Sequence, residues 1–485
     1  MKRFLTMIFS TMCVGNIWAY DFQSGVLYYN ITSDSTVEVT QQYSDGNNYS
    51  NIEAIDIPES VAYNGFVYFV TGIANNAFEY CGNLKAIAIP KSVISIGHWA
   101  FNNCVNLKSI SIPNTITYIG QNAFDACVNL DYNSYDNAFY IGNKENPYVV
   151  LMESRNANIT SCEISTDCKV INTNAFMQNN QLKSIIIPDS VKCIGYMAFS
   201  DCSELKSVTI SNSVTSIEGY AFNGCHKLAA FTISNSISWI PESMFMGTAL
   251  ATLSIPNSVE RIGKWAFQFS ELTNITIPES VVYIEAEAFA YTNLTSVVIP
   301  KSVEWIGGGA FTACPLNNVV CKAVIPPQIT QNDPFPSCDT IYVPLESLND
   351  YMAAAIWKRK IILPISVLDN NNNNGDNSNL GEQIENEYDD NGASQKDNTN
   401  NTNKAINFLT DVNDKEATTV NIYAYGNIIV VENVEDTGCM VEVLDISGRL
   451  VSKVQGRCGR IEIPIDGGGI YIVKSDAKIK RVSVR

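Results

Sequence analysis

The sequence contains very little histidine, which limits the chemistry that the protein can perform. Only His98 and His226 occur among 485 residues. His226 directly follows Cys225, and adjacent residues on a turn rarely point at each other, so a Cys–His catalytic pair is not expected. The carboxylates form no recognisable acid–base pair, and no glycine run is followed by Lys-Ser or Lys-Thr, as a phosphate-binding loop requires. We therefore expect no enzymatic activity, no cofactor, and no catalytic or metal-binding residue.

Basic residues and long apolar runs are also scarce. The sequence contains 31 Lys and Arg but 49 Asp and Glu, which gives a net charge of −18. Such an acidic chain would repel nucleic acid and anionic lipid. The apolar run in residues 1–19 follows Lys2 and Arg3 and ends at Ala19, as a cleaved secretory signal does, and it is too short to span a bilayer. Its removal would take away two positive charges, moving the net charge from −18 to −20. We expect an exported protein, at the outer cell surface or outside the cell, without membrane insertion.

The cysteine count does not favour a complete disulfide framework. Of 14 cysteines, Cys13 lies in the signal, which leaves 13, an odd number for an exported chain. Cys439 and Cys458 could pair, but their spacing alone does not show it.

What the sequence does have is an internal repeat, and a period in this range indicates a solenoid. Each unit follows the pattern I-P-x-S-V-x-x-I-G-x-x-A-F-x-x-C-x-x-L-x-x-I-x-I. Its phenylalanine recurs at ten positions: Phe78, Phe101, Phe124, Phe176, Phe199, Phe222, Phe245, Phe267, Phe289 and Phe311. The step is 23 residues up to Phe245 and 22 afterwards, apart from a 52-residue gap between Phe124 and Phe176. In the last three positions of L-x-x-I-x-I, apolar residues alternate with other residues, which predicts a short strand. Stacked units would pair these strands in parallel, about 4.8 Å apart.

Cysteine recurs at one phase of this repeat, three residues after the phenylalanine. Six cysteines share that phase: Cys81, Cys104, Cys127, Cys202, Cys225 and Cys314. Asn179, Thr248, Ser270 and Thr292 occupy it in other units. Small polar-tipped residues suit a stacked turn that hydrogen-bonds neighbouring backbone groups. A metal site would need ligands that converge, so these cysteines are expected to be structural. A second column of Ser and Thr, two residues after the Pro of the pattern, is expected to bond turns in the same way.

Large side chains gather at two further phases. The position before the I-G pair holds Tyr118, Trp239, Arg261, Tyr283 and Trp305, and two positions after the Gly lie Trp99, Tyr220 and Trp265. Aromatic residues and Arg are common anchors of interfaces, and flat rings also suit sugar faces. Two interpretations stay open: these residues form a binding stripe, or they shield the edge of the solenoid.

The repeat pattern resembles that of BspA-like leucine-rich repeat proteins over residues 20–365, with Glu218 and Pro241 standing where Gly is usual. The resemblance implies a β-rich leucine-rich-repeat solenoid with a parallel strand ladder. Its parts would be capping strands in 20–70, repeats in 71–320 with an inserted hairpin near 131–160, and a carboxy-terminal cap in 321–368. It also implies attachment to host matrix proteins such as fibronectin and fibrinogen.

The rest of the chain differs in composition. Residues 369–403 contain 13 Asn, and eight Asp or Glu against one Lys, so an acidic, disordered linker is expected. Residues 404–485 alternate like the strands of a small antiparallel β-sandwich. Their D-I-S-G-R and G-I-Y-I-V-K segments resemble the sorting domain of the type IX secretion pathway, which implies contact with that secretion machinery.

These observations favour a noncatalytic binding protein that attaches to a host extracellular matrix or cell-surface protein through its repeats. The alternative is a carbohydrate-binding surface protein that uses the aromatic stripe. An enzyme would need a catalytic cluster that the sequence does not offer.

Overall fold

The computed structural model describes residues 20–42, 49–330, 332–366 and 368, together with strand segments between 421 and 484. Its contacts divide the chain into two units, Met1–Leu363 and Pro364–Arg485. The expected signal (1–19) and linker (369–403) lie outside the described residues, as do Cys13, Cys439 and Cys458.

The first unit begins with six strands, the last of which extends past residue 70, the expected end of the amino-terminal cap. They are β1 (Phe22–Ser24), β2 (Leu27–Ile31), β3 (Thr36–Thr40), β4 (Ala54–Asp56), β5 (Ser60–Tyr63) and β6 (Phe66–Ile73). The repeats before the long gap contain β7 (Ala86–Ala88), β8 (Ser95–Ile96), β9 (Ser109–Ser111) and β10 (Tyr118–Ile119). The gap contains β11 (Asn133–Tyr135), β12 (Ala138–Ile141) and β13 (Val150–Ser154).

The later repeats contain β14 (Val170–Ile171), β15 (Ser184–Ile186), β16 (Cys193–Ile194), β17 (Ser207–Thr209), β18 (Ser216–Ile217), β19 (Ala230–Thr232), β20 (Trp239–Ile240), β21 (Arg261–Ile262), β22 (Tyr283–Ile284), β23 (Ser296–Ile299), β24 (Trp305–Ile306), β25 (Asn318–Cys321), β26 (Gln328–Ile329) and β27 (Thr340–Val343). The unit closes with a 3-10 turn (Leu345–Ser347), helix α1 (Leu348–Ala353), a second 3-10 turn (Trp357–Arg359) and β28 (Ile361–Pro364).

These strands confirm the expected parallel solenoid, which has about 13 turns. Most repeats supply one strand from I-x-I and one from I-G, and strands of the same kind pair in register, as Val208 does with Ile185. In two of the later repeats the I-x-I strands are reduced to a single bridge between Ser254 and Thr276. The I-x-I strands form the sheets β4-β7-β9, β15-β17-β19 and β23-β25-β27-β28. The I-G strands form the continuous run β20-β21-β22-β24-β26 in the later repeats.

A column of stacked phenylalanines fills the core. All ten repeat phenylalanines are buried, and ring centroids of consecutive turns lie 5.1 Å apart for Phe267 and Phe289. The step widens to 6.3 Å between Phe222 and Phe245, because Phe231 packs edge-on against both rings. The column extends beyond the expected repeats to Phe335, which stacks on Phe311 at 5.2 Å, and Trp357 covers that end.

The turn that carries the phenylalanine binds the next turn through alternate backbone N–H groups. Trp265, Phe267 and Phe269 donate to the carbonyls of Ala286, Ala288 and Ala290 at 3.2, 2.8 and 3.0 Å. Trp265 and Phe269 have positive φ, 57° and 58°. The same two phases are left-handed in most units, so two left-handed residues per turn are part of the repeat geometry.

The insert in the long gap completes the solenoid with an antiparallel sheet. β12 pairs antiparallel with β11 and β13, and β13 then pairs parallel with β14, Val150 opposite Val170. The insert therefore supplies the strand on which the later repeats stack.

The second unit contains two antiparallel sheets among its described strands. One is β29 (Asn421–Tyr425), β30 (Ile428–Val434) and β33 (Gly459–Pro464), in sequential contact. The other has the order β32-β31-β34-β35, where β31 is Met440–Asp445, β32 is Leu450–Gln455, β34 is Gly469–Ser475 and β35 is Lys478–Val484. Their buried side chains include Val441, Val443, Ile463 and Val473.

Replacement of one core ring should destabilise the whole array, because every turn depends on its neighbours. Phe267→Ala removes a fully buried ring and should cost about 3–5 kcal/mol in the free energy of unfolding. Urea unfolding followed by circular dichroism measures this change. Thr209→Ala, an exposed substitution on β17, is the control and should change stability by less than about 0.5 kcal/mol. Equal effects of the two substitutions would contradict the stacked-core account.

Candidate binding surfaces

The repeat cysteines are buried and bond one turn to the one before it. The Sγ atoms of five of them lie 3.1–3.2 Å from the phenylalanine carbonyl of the preceding turn: Cys104 to Phe78, Cys127 to Phe101, Cys202 to Phe176, Cys225 to Phe199 and Cys314 to Phe289. Asn179, Thr248 and Thr292 instead donate to the phenylalanine carbonyl of their own turn, at 3.1, 2.9 and 2.9 Å. In this geometry the thiols act as backbone-capping groups.

The environment of the cysteines also disfavours thiolate chemistry. Burial raises the pKa of Cys168, Cys193 and Cys202 to about 12, so these side chains stay neutral thiols near neutral pH. In the described part of the chain, no three His, Cys, Asp or Glu side chains are grouped so that they could hold a metal ion.

Part of the hydroxyl column makes the same kind of bond, whereas the buried hydroxyls of Ser92, Ser190 and Ser258 have no hydrogen-bond partner among the described residues. Five side chains donate to backbone carbonyls of the preceding unit at 2.7–2.9 Å: Thr115 to Val93, Ser213 to Val191, Ser236 to Asn212, Ser280 to Val259 and Ser302 to Val281. These five hydroxyls therefore connect consecutive turns, as the sequence predicted for the column.

Four of the stripe residues lie side by side. In the sheet of β20, β21, β22 and β24, Trp239 pairs with Arg261, Arg261 with Tyr283, and Tyr283 with Trp305. Trp239 and Tyr283 keep 39% and 38% of their surface exposed; Arg261 is exposed and Trp305 half-buried. We call this row, Trp239, Arg261, Tyr283 and Trp305, the aromatic row.

Arg261 is held in place within the aromatic row. Its guanidinium carbon lies 5.0 Å from the centroid of the Tyr283 ring, a cation–π contact. Its Nη1 also lies 3.3 Å from Oε1 of Glu285, and Oε2 of that carboxylate accepts the backbone N–H of Lys264 at 3.0 Å. Because the guanidinium is already ordered, a partner that binds it would lose less side-chain entropy.

Tyr118 is separated from the aromatic row, although it has the same repeat phase. It belongs to the sheet of β8 and β10, before the insert, and burial together with the Glu218 carboxylate raises its pKa. The Gln121 N–H donates to Nδ1 of His98, so Nε2 carries the proton toward the Tyr118 hydroxyl, 3.3 Å away. Tyr118 therefore lies between His98 of an early repeat and Glu218 of a later one, away from the other residues of its phase.

Tyr220 and Trp265 lie on the phase after the Gly, outside the aromatic row. Both have positive φ, 59° and 57°. The Tyr220 hydroxyl donates to Glu242 at 3.1 Å, and the Lys264 ammonium lies 3.6 Å from the centroid of the Trp265 ring. The seven proposed binding residues thus separate into a group of four and three at other places.

A third phase of exposed aromatics was not anticipated. Two residues after the repeat phenylalanine stand Tyr80, Phe269 and Tyr291, which are 62%, 52% and 48% exposed. Comparison of the units at that phase would have found them, since the other units carry Asn, Ala, Gln, Asp or Gly there.

The structure also forms an open cleft of about 910 Å³ between β9 and the insert, whose lining includes Lys91, Lys108 and Lys144.

The BspA-type leucine-rich repeat region model matches residues 71–145, 154–272 and 260–342, in six copies. The chain belongs to the BspA-type leucine-rich repeat family. The match extends past residue 320, where the repeats were expected to end, and includes Phe335. No catalytic family is indicated, and members of this fold class are non-enzymatic repeat proteins. A search of curated proteins finds no match.

Solved structures of leucine-rich repeat proteins are similar to this BspA-type chain. One, from Bacteroides ovatus, is 23% identical and covers 71% of this chain and 100% of its own, with a TM-score of 0.30. A leucine rich cell surface protein from Faecalibacterium prausnitzii is 22% identical over 71% of this chain and 94% of its own, with a TM-score of 0.27. The pneumococcal vaccine antigen PcpA is 14% identical over 71% of this chain and 98% of its own, with a TM-score of 0.25.

The buried thiols predict an alkaline limit to stability. A thiol whose pKa rises from 9.0 to about 12 on folding stabilises the native state fully below pH 9 and loses that contribution as pH rises toward 12. The loss is about 1.4 kcal/mol per thiol and pH unit. Urea unfolding at pH 8 to 10.5 should show falling stability, with a smaller slope in Cys193→Ala/Cys202→Ala. Ser207→Ala, at an exposed position, should keep the wild-type slope. A flat profile in the wild type would contradict this assignment.

Proposed function

We propose that this protein is an exported, noncatalytic binding protein that attaches to a host extracellular matrix or cell-surface protein through the aromatic row of its solenoid. The observation that carries the proposal is the in-register series Trp239, Arg261, Tyr283 and Trp305 on one continuous sheet. Trp, Tyr and Arg are the residue types that dominate binding energy at protein interfaces.

The exposure of the aromatic row distinguishes it from a core feature. The isoleucine beside each member, such as Ile240 or Ile284, is fully buried, whereas Trp239 and Tyr283 remain more than one third exposed. Two large rings in such positions leave apolar surface in water, which a partner would cover. The clamp of Glu285 and Tyr283 on Arg261 supports the proposal, because it presents the guanidinium in one orientation.

The charge around the aromatic row favours a basic partner surface. Exposed Glu260 and Glu304 directly precede Arg261 and Trp305 in the sequence, and the mature chain is acidic overall. A partner with Lys or Arg around an apolar patch would complement this rim, and raising the salt concentration would then slow association.

The location that we propose is the outer cell surface or the extracellular space. It rests on the signal-like residues 1–19 and on the resemblance of 404–485 to a type IX sorting domain. Within the described residues, we find no helix with both the length and the apolarity that crossing a bilayer requires.

Substitution of the aromatic row should remove partner binding. Surface plasmon resonance of the full chain on immobilised fibronectin and fibrinogen should show binding to at least one of them. Trp239→Ala/Tyr283→Ala should weaken it by more than about tenfold, since each anchor contributes about 2 kcal/mol or more. Trp265→Ala, in the same repeats but outside the aromatic row, is the matched control and should bind like the wild type.

Circular dichroism melts must show that each variant is folded. Unchanged binding by a folded Trp239→Ala/Tyr283→Ala variant would reject the aromatic row as the site and direct attention to the lysine-lined cleft. A glycan panel measured in parallel tests the carbohydrate alternative. That alternative replaces the first if only glycans bind and the same variant loses them.

A further inference from the structure

The exposed rings of Phe269 and Tyr291 form a stacked pair away from the core. Their centroids are 4.7 Å apart and their planes 22° from parallel, while about half of each side chain stays in water. Both residues have positive φ, 58° and 60°, a conformation that large side chains rarely adopt. Neither exposure nor backbone preference explains aromatic residues here, because seven of the ten units place small or polar residues at this phase.

The row that contains this pair has two glycines, Gly224 and Gly247, on one side and the small Ala313 on the other. Positions at this phase run Asp201, Gly224, Gly247, Phe269, Tyr291 and Ala313 along consecutive turns. Backbone bonds keep these turns in register: Gly224 N–H donates to Met246, Gly247 N–H to Gln268 and Phe269 N–H to Ala290. Since Tyr291 stacks on one face of Phe269, the other face lies on the side of Gly247, which has no side chain of its own.

Hydrogen-bonding side chains lie near Gly247 and Gly224, on the side of the Phe269 ring that Tyr291 does not cover. A Cβ at Gly247 would lie 3.5 Å from Cε1 of His226, so the imidazole borders the gap. Its Nδ1 donates to the Gly247 carbonyl at 2.9 Å, because a carbonyl can only accept, and Nε2 is therefore left as an acceptor. The Asp201 carboxylate lies over Gly224, in the place where a Cβ of that glycine would stand.

The combination of groups specifies a ligand class. A flat aromatic face packs against the apolar C–H face of a sugar ring, and a carboxylate and an imidazole nitrogen accept hydrogen bonds from hydroxyls. The half-buried Asp201 carboxylate, in a chain of net charge −18, would repel uronate, sialic or sulfated sugars. A gap left by one missing side chain in a row spaced about 5 Å per turn admits a single ring.

We propose that the Phe269 face, the Gly247 gap and the acceptors of His226 and Asp201 form a binding site for one neutral pyranose ring of a glycan. The site contains no member of the aromatic row, so it stands or fails independently of protein attachment through that row.

The test is binding of the full chain to immobilised neutral oligosaccharides ending in glucose, galactose, mannose or N-acetylglucosamine, beside acidic glycans. The wild type should bind at least one neutral glycan. Phe269→Ala should weaken that binding by at least about tenfold, whereas Phe269→Trp should retain it and report binding by a change of fluorescence. Gly247→Asn should block the gap, and Asn tolerates the left-handed backbone there.

Tyr80→Ala is the matched control, because Tyr80 has the same phase, φ of 59° and similar exposure but lies in the first repeat. It should leave glycan binding unchanged. The proposal is overturned if no neutral glycan binds, if acidic glycans bind in preference, or if folded Phe269→Ala and Gly247→Asn variants bind like the wild type. Loss of glycan binding in Trp239→Ala/Tyr283→Ala, with Phe269→Ala unaffected, would assign the sugar to the aromatic row instead.

Discussion

The spacing of one repeat is the constraint on which the rest of the structure depends. Each repeat advances the solenoid by the distance between two hydrogen-bonded strands, about 4.8 Å, and the stacked phenylalanine rings, 5.1 Å apart for Phe267 and Phe289, match that distance. Backbone pairing and ring stacking therefore have the same period. Any side chain that recurs at one phase is consequently placed beside its counterpart in the next turn.

This shared period explains why surface features appear as rows. Trp239, Arg261, Tyr283 and Trp305 come into contact because each occupies the same place in its own turn, with no loop needed to position them. The Phe269–Tyr291 stack arises in the same way at another phase. The protein can thus vary its surface one residue at a time while the core column stays unchanged.

The sequence predicted the fold and the pairing within uninterrupted repeats, because both follow from the period. It was less informative where the period is broken. Tyr118 shares the phase of the aromatic row, but the insert separates the two sheets, and its contact with Glu218 could not be read from spacing. Phe335 was overlooked since its turn lacks most of the pattern, although Cys338 follows it at the usual three residues. The role of Glu285 depends on side-chain geometry, which repeat phase does not encode.

The direction of the thiol bonds bears on how such a protein can change in length. A cysteine turn such as that of Cys202 takes its acceptor from the turn before it, so it requires a predecessor of the same kind. Asn179 satisfies its own turn, and it occupies the first turn after the insert, where no phenylalanine turn directly precedes it. Because the side-chain donor of such a turn needs no acceptor from the turn before it, duplication or loss of whole repeats at that boundary would leave no side-chain donor without its acceptor. The solenoid could therefore lengthen or shorten over evolutionary time without redesign of its interior.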